Sequence, residues 1–194
     1  VKKFGAVVLS PGYRLAPLSP YPAALDDCYA ALIYLKENAA ALGVRSDQLM
    51  VGGESAGGGL IFALCLKLKQ LGQALPCGLI GISPWTDLTG SGDSYETNKD
   101  VDPSMTQELL QFYAQCYTDD AADPLCSPLF GDLTGLPPSL LFVGGEDYSP
   151  LALGAIVLVC VGAIGLGVVD ATEDPELRAA RQAEGNRKYS KSFL

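Results

Sequence analysis

The residues of this 194-residue chain that most strongly suggest chemistry form the run Gly53-Glu54-Ser55-Ala56-Gly57. The run fits the pattern Gly-x-Ser-x-Gly, in which small neighbours let a serine occupy a sharp turn between a strand and a helix. Such a turn exposes the Ser55 hydroxyl as a nucleophile and directs the backbone N–H of Ala56 at a developing oxyanion. The partial positive charge of the helix N-terminus adds to this effect. The alternative is a Gly/Ser-rich turn that merely joins a strand to a helix.

The elements needed to position this serine are predicted on both sides of it. A strand is predicted at 48–51 and a mostly buried helix at 60–71. Other apolar runs predict strands at 5–9, 79–82 and 140–143, and helices at 25–42 and from Ser104 to about Tyr117. Because strands and helices alternate, the sequence predicts an α/β fold: a parallel central sheet with helices on both faces.

Composition excludes several classes of protein. The chain has 13 Lys+Arg against 22 Asp+Glu, a net charge of −9, and its bases are scattered, so we expect no nucleic-acid partner. An apolar fraction of 48% excludes a disordered chain. The six cysteines include no Cys-x-x-Cys pair and the chain has no histidine, so no metal site is predicted. Free thiols and the lack of a secretory signal after Val1 indicate a cytoplasmic protein.

Several short segments, in order along the chain, resemble the hormone-sensitive-lipase-like family of α/β hydrolases. They are residues 13–17 and 21–27, 53–58, 83–88, 127–129 and 135–138. The resemblance runs from residue 5 to residue 147, about three quarters of the chain. It implies an incomplete α/β-hydrolase fold and a serine carboxylic-ester hydrolase that acts on small, short-chain esters through an acyl-enzyme, with no cofactor.

The resemblance also implies roles for individual residues. Ser55 matches the nucleophile of the family's triad, and the Ala56 N–H matches half of its oxyanion hole. Asp147 matches the acid that orients the catalytic imidazole and stabilises its protonated form, with Glu146 as the fallback; a solvated loop is the alternative for both. Trp85 is implied to line the substrate pocket, although a lone Trp after a strand more often packs in a core or at a rim.

Two parts of the family's machinery are missing from this sequence. The chain contains no histidine and no His-Gly-Gly oxyanion motif, which precedes segment 13–17 in the family. We therefore expect the chain as given to have no useful esterase activity. The alternative function is that of a non-catalytic ligand-binding or membrane-anchored protein on a hydrolase scaffold. The plant gibberellin receptor, which resembles this family and has lost the catalytic His, is an example of ligand binding on this scaffold.

Beyond Pro150 the composition changes abruptly. Residues 151–169 are 19 apolar residues without a charge, which as a helix would span about 28 Å. This run is a membrane anchor, a buried helix on the sheet, or the product of a shifted reading frame or gene-fragment junction; we favour the last, because the resemblance stops within a few residues. The predicted division is a partial α/β-hydrolase domain at 1–150, an apolar helix at 151–169 and a charged tail at 170–194. The sequence predicts no oligomeric state.

Overall fold

A parallel sheet forms the centre of the chain. The computed structural model describes residues 7–97 and 105–143. Its strands are β1 (Met50–Glu54), β2 (Gly78–Ile82) and β3 (Ser139–Phe142), paired in parallel in the order β1-β2-β3. Parallel neighbours need a crossover connection, which is usually a helix. The predicted parallel α/β architecture is therefore confirmed.

In the part of the chain that the structure describes, four α-helices accompany the sheet: α1 (Ala23–Glu37), α2 (Ala56–Gln70), α3 (Ser94–Thr97) and α4 (Gln107–Tyr117). Helix α2 links β1 to β2, and ten of its fifteen residues are buried. Its Ile61 and Cys65 pack with Leu79 of the sheet, while Leu64 and Leu68 pack with α1. Each fully buried Leu or Ile stabilises the fold by about 1.5–3 kcal/mol. Burial on both sides explains why its sequence shows no polar face.

Helix α1 ends five residues before the predicted end at residue 42. At its C-terminus the backbone N–H and the side-chain Nδ2 of Asn38 both donate to the Tyr34 carbonyl, at 3.0 and 2.8 Å. An Asn side chain that competes for a helix carbonyl favours termination. The chain then continues in turns to Gly43, whose φ of +68° is a conformation that glycine adopts without strain.

Two other predicted elements are corrected. No strand forms at residues 7–9 of the predicted strand 5–9, and Val8 is 67% exposed, because no described strand pairs with this segment. The helix predicted from Ser104 begins instead at Gln107, since the Thr106 side chain accepts a hydrogen bond from the Leu109 N–H and caps it.

The two faces of the sheet differ. Val51, Leu79 and Leu141 face α2 and are packed against it. On the opposite face, within the described part of the chain, Leu140 is 45% and Phe142 is 50% exposed. Within residues 7–97 and 105–143 the helices therefore cover one face of the sheet, and helices on its second face stay a prediction.

Several predictions fall outside the described residues: the roles of Glu146 and Asp147, the apolar run 151–169 and the tail 170–194. Among residues 7–97 and 105–143, no helix has the length and apolar character needed to cross a membrane. The cysteines in these ranges, Cys28, Cys65, Cys77, Cys116 and Cys126, are free thiols.

Candidate active site

Ser55 lies between β1 and α2 with a strained backbone. Its φ is 52° and its ψ is −119°, a region that L-residues rarely adopt and that is often found at functional sites. Its N–H donates to the Ile82 carbonyl at 3.0 Å, and its carbonyl accepts from the N–H groups of Gly59 and Trp85, at 3.1 and 2.9 Å. These bonds hold the strained turn between β2 and the start of α2.

The glycines around Ser55 are required for close backbone contact. A Cβ on Gly53 would lie 2.2 Å from the Gly57 oxygen, and one on Gly58 would lie 2.6 Å from the Pro84 Cα. Since both obstacles are backbone atoms, they cannot rotate away as a flexible side chain would. The space inside the turn therefore requires Gly53 and Gly58, whereas a Cβ on Gly57 would meet only the Tyr13 hydroxyl, at 4.0 Å.

The Ser55 hydroxyl is exposed and is not used to stabilise the helix. Ser55 is the N-cap residue of α2, yet its side chain makes no capping hydrogen bond. Ala56 is the first residue of α2, and the first turn contains no acidic side chain. N–H groups in a first helical turn have no intrahelical acceptor, and the helix dipole favours an anion there. This arrangement could stabilise negative charge next to Ser55.

Ser55 and Ala56 line a cavity of about 380 Å³. Its wall is formed by residues 13–16, the first turns of α2, Trp85 with Leu88, and the end of α4, and it is predominantly apolar. The volume lies toward the small end of the range for ligand pockets, roughly 300–1,000 Å³. The structure thus places Trp85 in the wall of the same cavity as Ser55.

A buried carboxylate behind Trp85 was missed by the sequence analysis. Asp87 is fully buried and accepts four hydrogen bonds: from the N–H and Oγ1 of Thr89, at 2.7 and 2.6 Å, and from the N–H and Oγ of Ser91, at 2.9 and 2.7 Å. Burial alone would raise its pKa, but these bonds hold the pKa of Asp87 below its ordinary value. Asp-x-Thr, typical of side-chain-to-backbone turns, was the available signal.

Ser127 connects this loop to the chain before β3. Its buried Oγ accepts from the Leu88 N–H at 2.8 Å and donates to the Ala121 carbonyl at 2.6 Å. The Leu129 N–H donates to the Thr86 carbonyl at 3.1 Å. Two of the segments that carry the family resemblance, 83–88 and 127–129, are thus bonded to each other and fix the loop that carries Trp85.

The segment 13–16 forms the opposite part of the wall. The Tyr13 hydroxyl lies 4.0 Å from the place that a Cβ on Gly57 would occupy. Arg14 pairs with Asp27 at 2.8 Å, and this side-chain hydrogen bond raises the pKa of Arg14 and lowers the pKa of Asp27. The neighbouring Asp26 pairs with Lys67 of α2. These ion pairs join the segment, α1 and α2.

The sheet register brings the carboxyl ends of the strands together. Glu54, Ile82 and Phe142 are aligned as neighbours across β1, β2 and β3. Ser55 and Trp85, which follow β1 and β2, meet at this edge. Asp147 and Glu146, the expected acids, follow β3 but lie outside the described residues.

Comparisons with known proteins agree with this geometry. A family model described as alpha/beta hydrolase fold matches residues 1–150. The chain is 41% identical over 145 residues to an acetyl-hydrolase of Streptomyces hygroscopicus, covering 74% of this chain and 47% of that protein. It is 40% identical over 146 residues to an esterase of Acinetobacter venetianus, covering 72% of this chain and 46% of that one.

A solved structure is also similar. The crystal structure of a hormone-sensitive lipase from a metagenome library matches with a TM-score of 0.65 and 42% identity, over 71% of this chain and 46% of that one. The chain spans about half the length of the curated relatives it matches.

Proposed function

The chain belongs to the α/β-hydrolase family that includes hormone-sensitive lipase, and on that premise we propose that it carries the nucleophile and acyl site of a serine carboxylic-ester hydrolase. The observation that carries this proposal is Ser55 itself. Its hydroxyl is uncommitted to capping, and it stands at a cavity beside the first turn of α2.

The proposed mechanism begins with attack of the Ser55 oxygen on the ester carbonyl. The Ala56 N–H donates to the resulting oxyanion, and loss of the alcohol leaves an acyl group on Ser55. A histidine base would take the Ser55 proton and give it to the leaving alcohol, and Asp147, or Glu146 in its place, would orient that base.

The proposed substrates are small esters with short acyl chains. The cavity of about 380 Å³ has space for a small molecule, and its apolar wall suits hydrocarbon groups. The names of the relatives, acetyl-hydrolase and esterase, support the same substrate class.

We also propose that these 194 residues alone do not turn over esters. The sequence contains no histidine, and loss of the histidine from a serine triad costs on the order of 10⁶ in turnover. A serine without a base is an ordinary alcohol at neutral pH.

Ligand binding without catalysis is the second candidate function. It is supported by the combination of a formed cavity and the absence of histidine from the sequence. Saturable binding of a small molecule, with no acyl group formed on Ser55 even when imidazole is added as a base, would favour this function over hydrolysis.

The experiment is hydrolysis of p-nitrophenyl butyrate by the purified chain, by Ser55→Ala, and by a control, Ser46→Ala, in the exposed turn before β1. We expect all three to release nitrophenol at the same background rate. Steady release that is abolished by Ser55→Ala but not by Ser46→Ala would contradict the proposed inactivity.

A further inference from the structure

The wall of the cavity includes one residue with a charged side chain among those that the structure describes. That residue is Arg14, and every other described lining residue is uncharged. An unpaired arginine in this position would attract carboxylates, because a guanidinium binds them with two parallel hydrogen bonds.

Arg14 is, however, already occupied by a carboxylate from α1. Its Nη2 donates to Asp27 Oδ1 at 2.8 Å and its Nε donates to Oδ2 at 3.0 Å. Its backbone N–H donates to the same Oδ2 at 2.8 Å. Asp27 therefore neutralises the cation of the wall and also fixes the segment that carries it.

A cavity wall without a free charge favours binding of neutral esters over binding of ionised acids. A neutral ester loses little hydration on entering an apolar cavity, whereas an ionised carboxylate loses much and needs a cation in return. With Arg14 paired to Asp27, the described wall offers no free cation. The acid released by hydrolysis and esters with a second, ionised carboxyl group are both disfavoured.

We propose that Asp27 is a specificity-determining residue that restricts the cavity to uncharged ligands by neutralising Arg14. This inference rests on the proposed function, since it assigns the cavity to the ester. The acyl and alcohol parts of the bound ester carry no charge, and the ionised acid product leaves the cavity.

The test measures binding, so it does not depend on turnover. Trp85 is the single tryptophan of the chain and lines the cavity, so its fluorescence reports occupancy. The purified chain is titrated at neutral pH with ethyl butyrate and, separately, with sodium butyrate. We expect ethyl butyrate to bind at least about tenfold more tightly than butyrate, given the cost of desolvating an unpaired carboxylate.

Asp27→Asn keeps an acceptor oxygen for the Arg14 N–H and removes the charge. We expect it to tighten butyrate binding by about two- to fivefold, the range for an exposed ion pair, and to leave ethyl butyrate binding unchanged. The gain should disappear in about 1 M salt. The matched control is Asp47→Asn, which breaks the exposed pair of Asp47 with Arg45 and should alter neither ligand.

A second variant keeps the inference testable if Asp27→Asn misfolds. Arg14→Met combined with Asp27→Asn removes both charges of the pair. Because the wall is neutral before and after this double change, butyrate binding should stay unchanged. Equal binding of both ligands to the native chain, or weaker butyrate binding in the double variant, would overturn the role of Asp27 without touching the proposed function. Failure of ethyl butyrate to bind at all would overturn both.

Discussion

At the scale of single residues, the candidate site depends on the space around Ser55. The positive φ of Ser55 is retained because β2 and the start of α2 bond to its backbone on both sides. The adjacent glycines let Gly57 and Pro84 approach more closely than any Cβ would allow. The strained backbone of Ser55 and the neighbouring glycines thus both belong to the same tightly packed turn.

Gly53→Ala should disrupt this arrangement. The new Cβ would meet the Gly57 oxygen at 2.2 Å, and we expect unfolding in urea to show a loss of about 3 kcal/mol, the upper end of the usual cost of overpacking. Gly12→Ala is the control, because a Cβ there meets nothing within 4 Å. Equal stability of the two variants would contradict the described packing of the turn.

Asp87→Asn tests the buried carboxylate behind Trp85. Replacing a charged acceptor of four hydrogen bonds should destabilise the fold at pH 7 by about 2 kcal/mol. The folded pKa of Asp87 is lowered, so its stabilisation is full above its unfolded pKa, about 3.9, and is lost as the pH falls through the lower folded value.

The free energy of unfolding of the native chain and of Asp87→Asn should therefore converge in acid. The measurement is a series of urea titrations from neutral pH to below pH 3.9, with the exposed Asp119→Asn as the control. If the free energies of unfolding of the native chain and of Asp87→Asn differ by the same amount from neutral pH into strong acid, Asp87 is not ionised in the folded chain.

At the scale of elements, helix α4 carries the part of the cavity wall that includes Tyr113 and Tyr117. Its N-terminus is fixed by Thr106, whose Oγ1 accepts from the Leu109 N–H at 3.3 Å. Thr106→Ala should lower the free energy of unfolding by about 1 kcal/mol, as loss of an N-cap does. Thr106→Ser, which keeps the hydroxyl, should retain most of the stabilisation by the cap. Identical losses in both variants would rule out capping as the cause.

The same scale shows how far sequence alone predicts the structure. The strands around 50, 80 and 140, the helix after Ser55 and the place of Ser55 itself follow from local pattern, because the apolar periods and the glycine spacing are short-range. The Leu88–Ser127 hydrogen bond and the Arg14–Asp27 pair join segments distant in sequence, so no periodicity reveals them. The observed end of α1 and start of α4 differ from the predicted ones because the side chains of Asn38 and Thr106 form hydrogen bonds with the helix backbone there. Such local bonds decide where a helix ends, and the apolar periodicity does not show them.

At the scale of the whole molecule, the sheet has an exposed apolar face and edge strands. Within the described residues, β1 and β3 each have a single neighbouring strand, and Leu140 and Phe142 are exposed on β3. Unpaired strand edges and apolar patches promote association between chains.

Leu140→Lys should therefore reduce self-association without unfolding the chain. Sedimentation velocity over a concentration series should show fewer oligomers for this variant than for the native chain. Phe112→Lys, at an apolar residue of α4 that is 58% exposed, against 45% for Leu140, is the control and should behave as the native chain does. Equal association of all three would contradict the role of the sheet face.

The central claim is the proposal that Ser55 can act as a nucleophile when a base is supplied. The most direct measurement is acylation of Ser55 by p-nitrophenyl butyrate in the presence of added imidazole, followed by mass spectrometry of the peptide that contains Ser55. The account predicts that a butyryl group accumulates on Ser55 as neutral imidazole increases, and that Ser55→Ala shows no label on this peptide. Nitrophenol release that is identical in the native chain and Ser55→Ala at every imidazole concentration, with no butyryl group on Ser55, would contradict it.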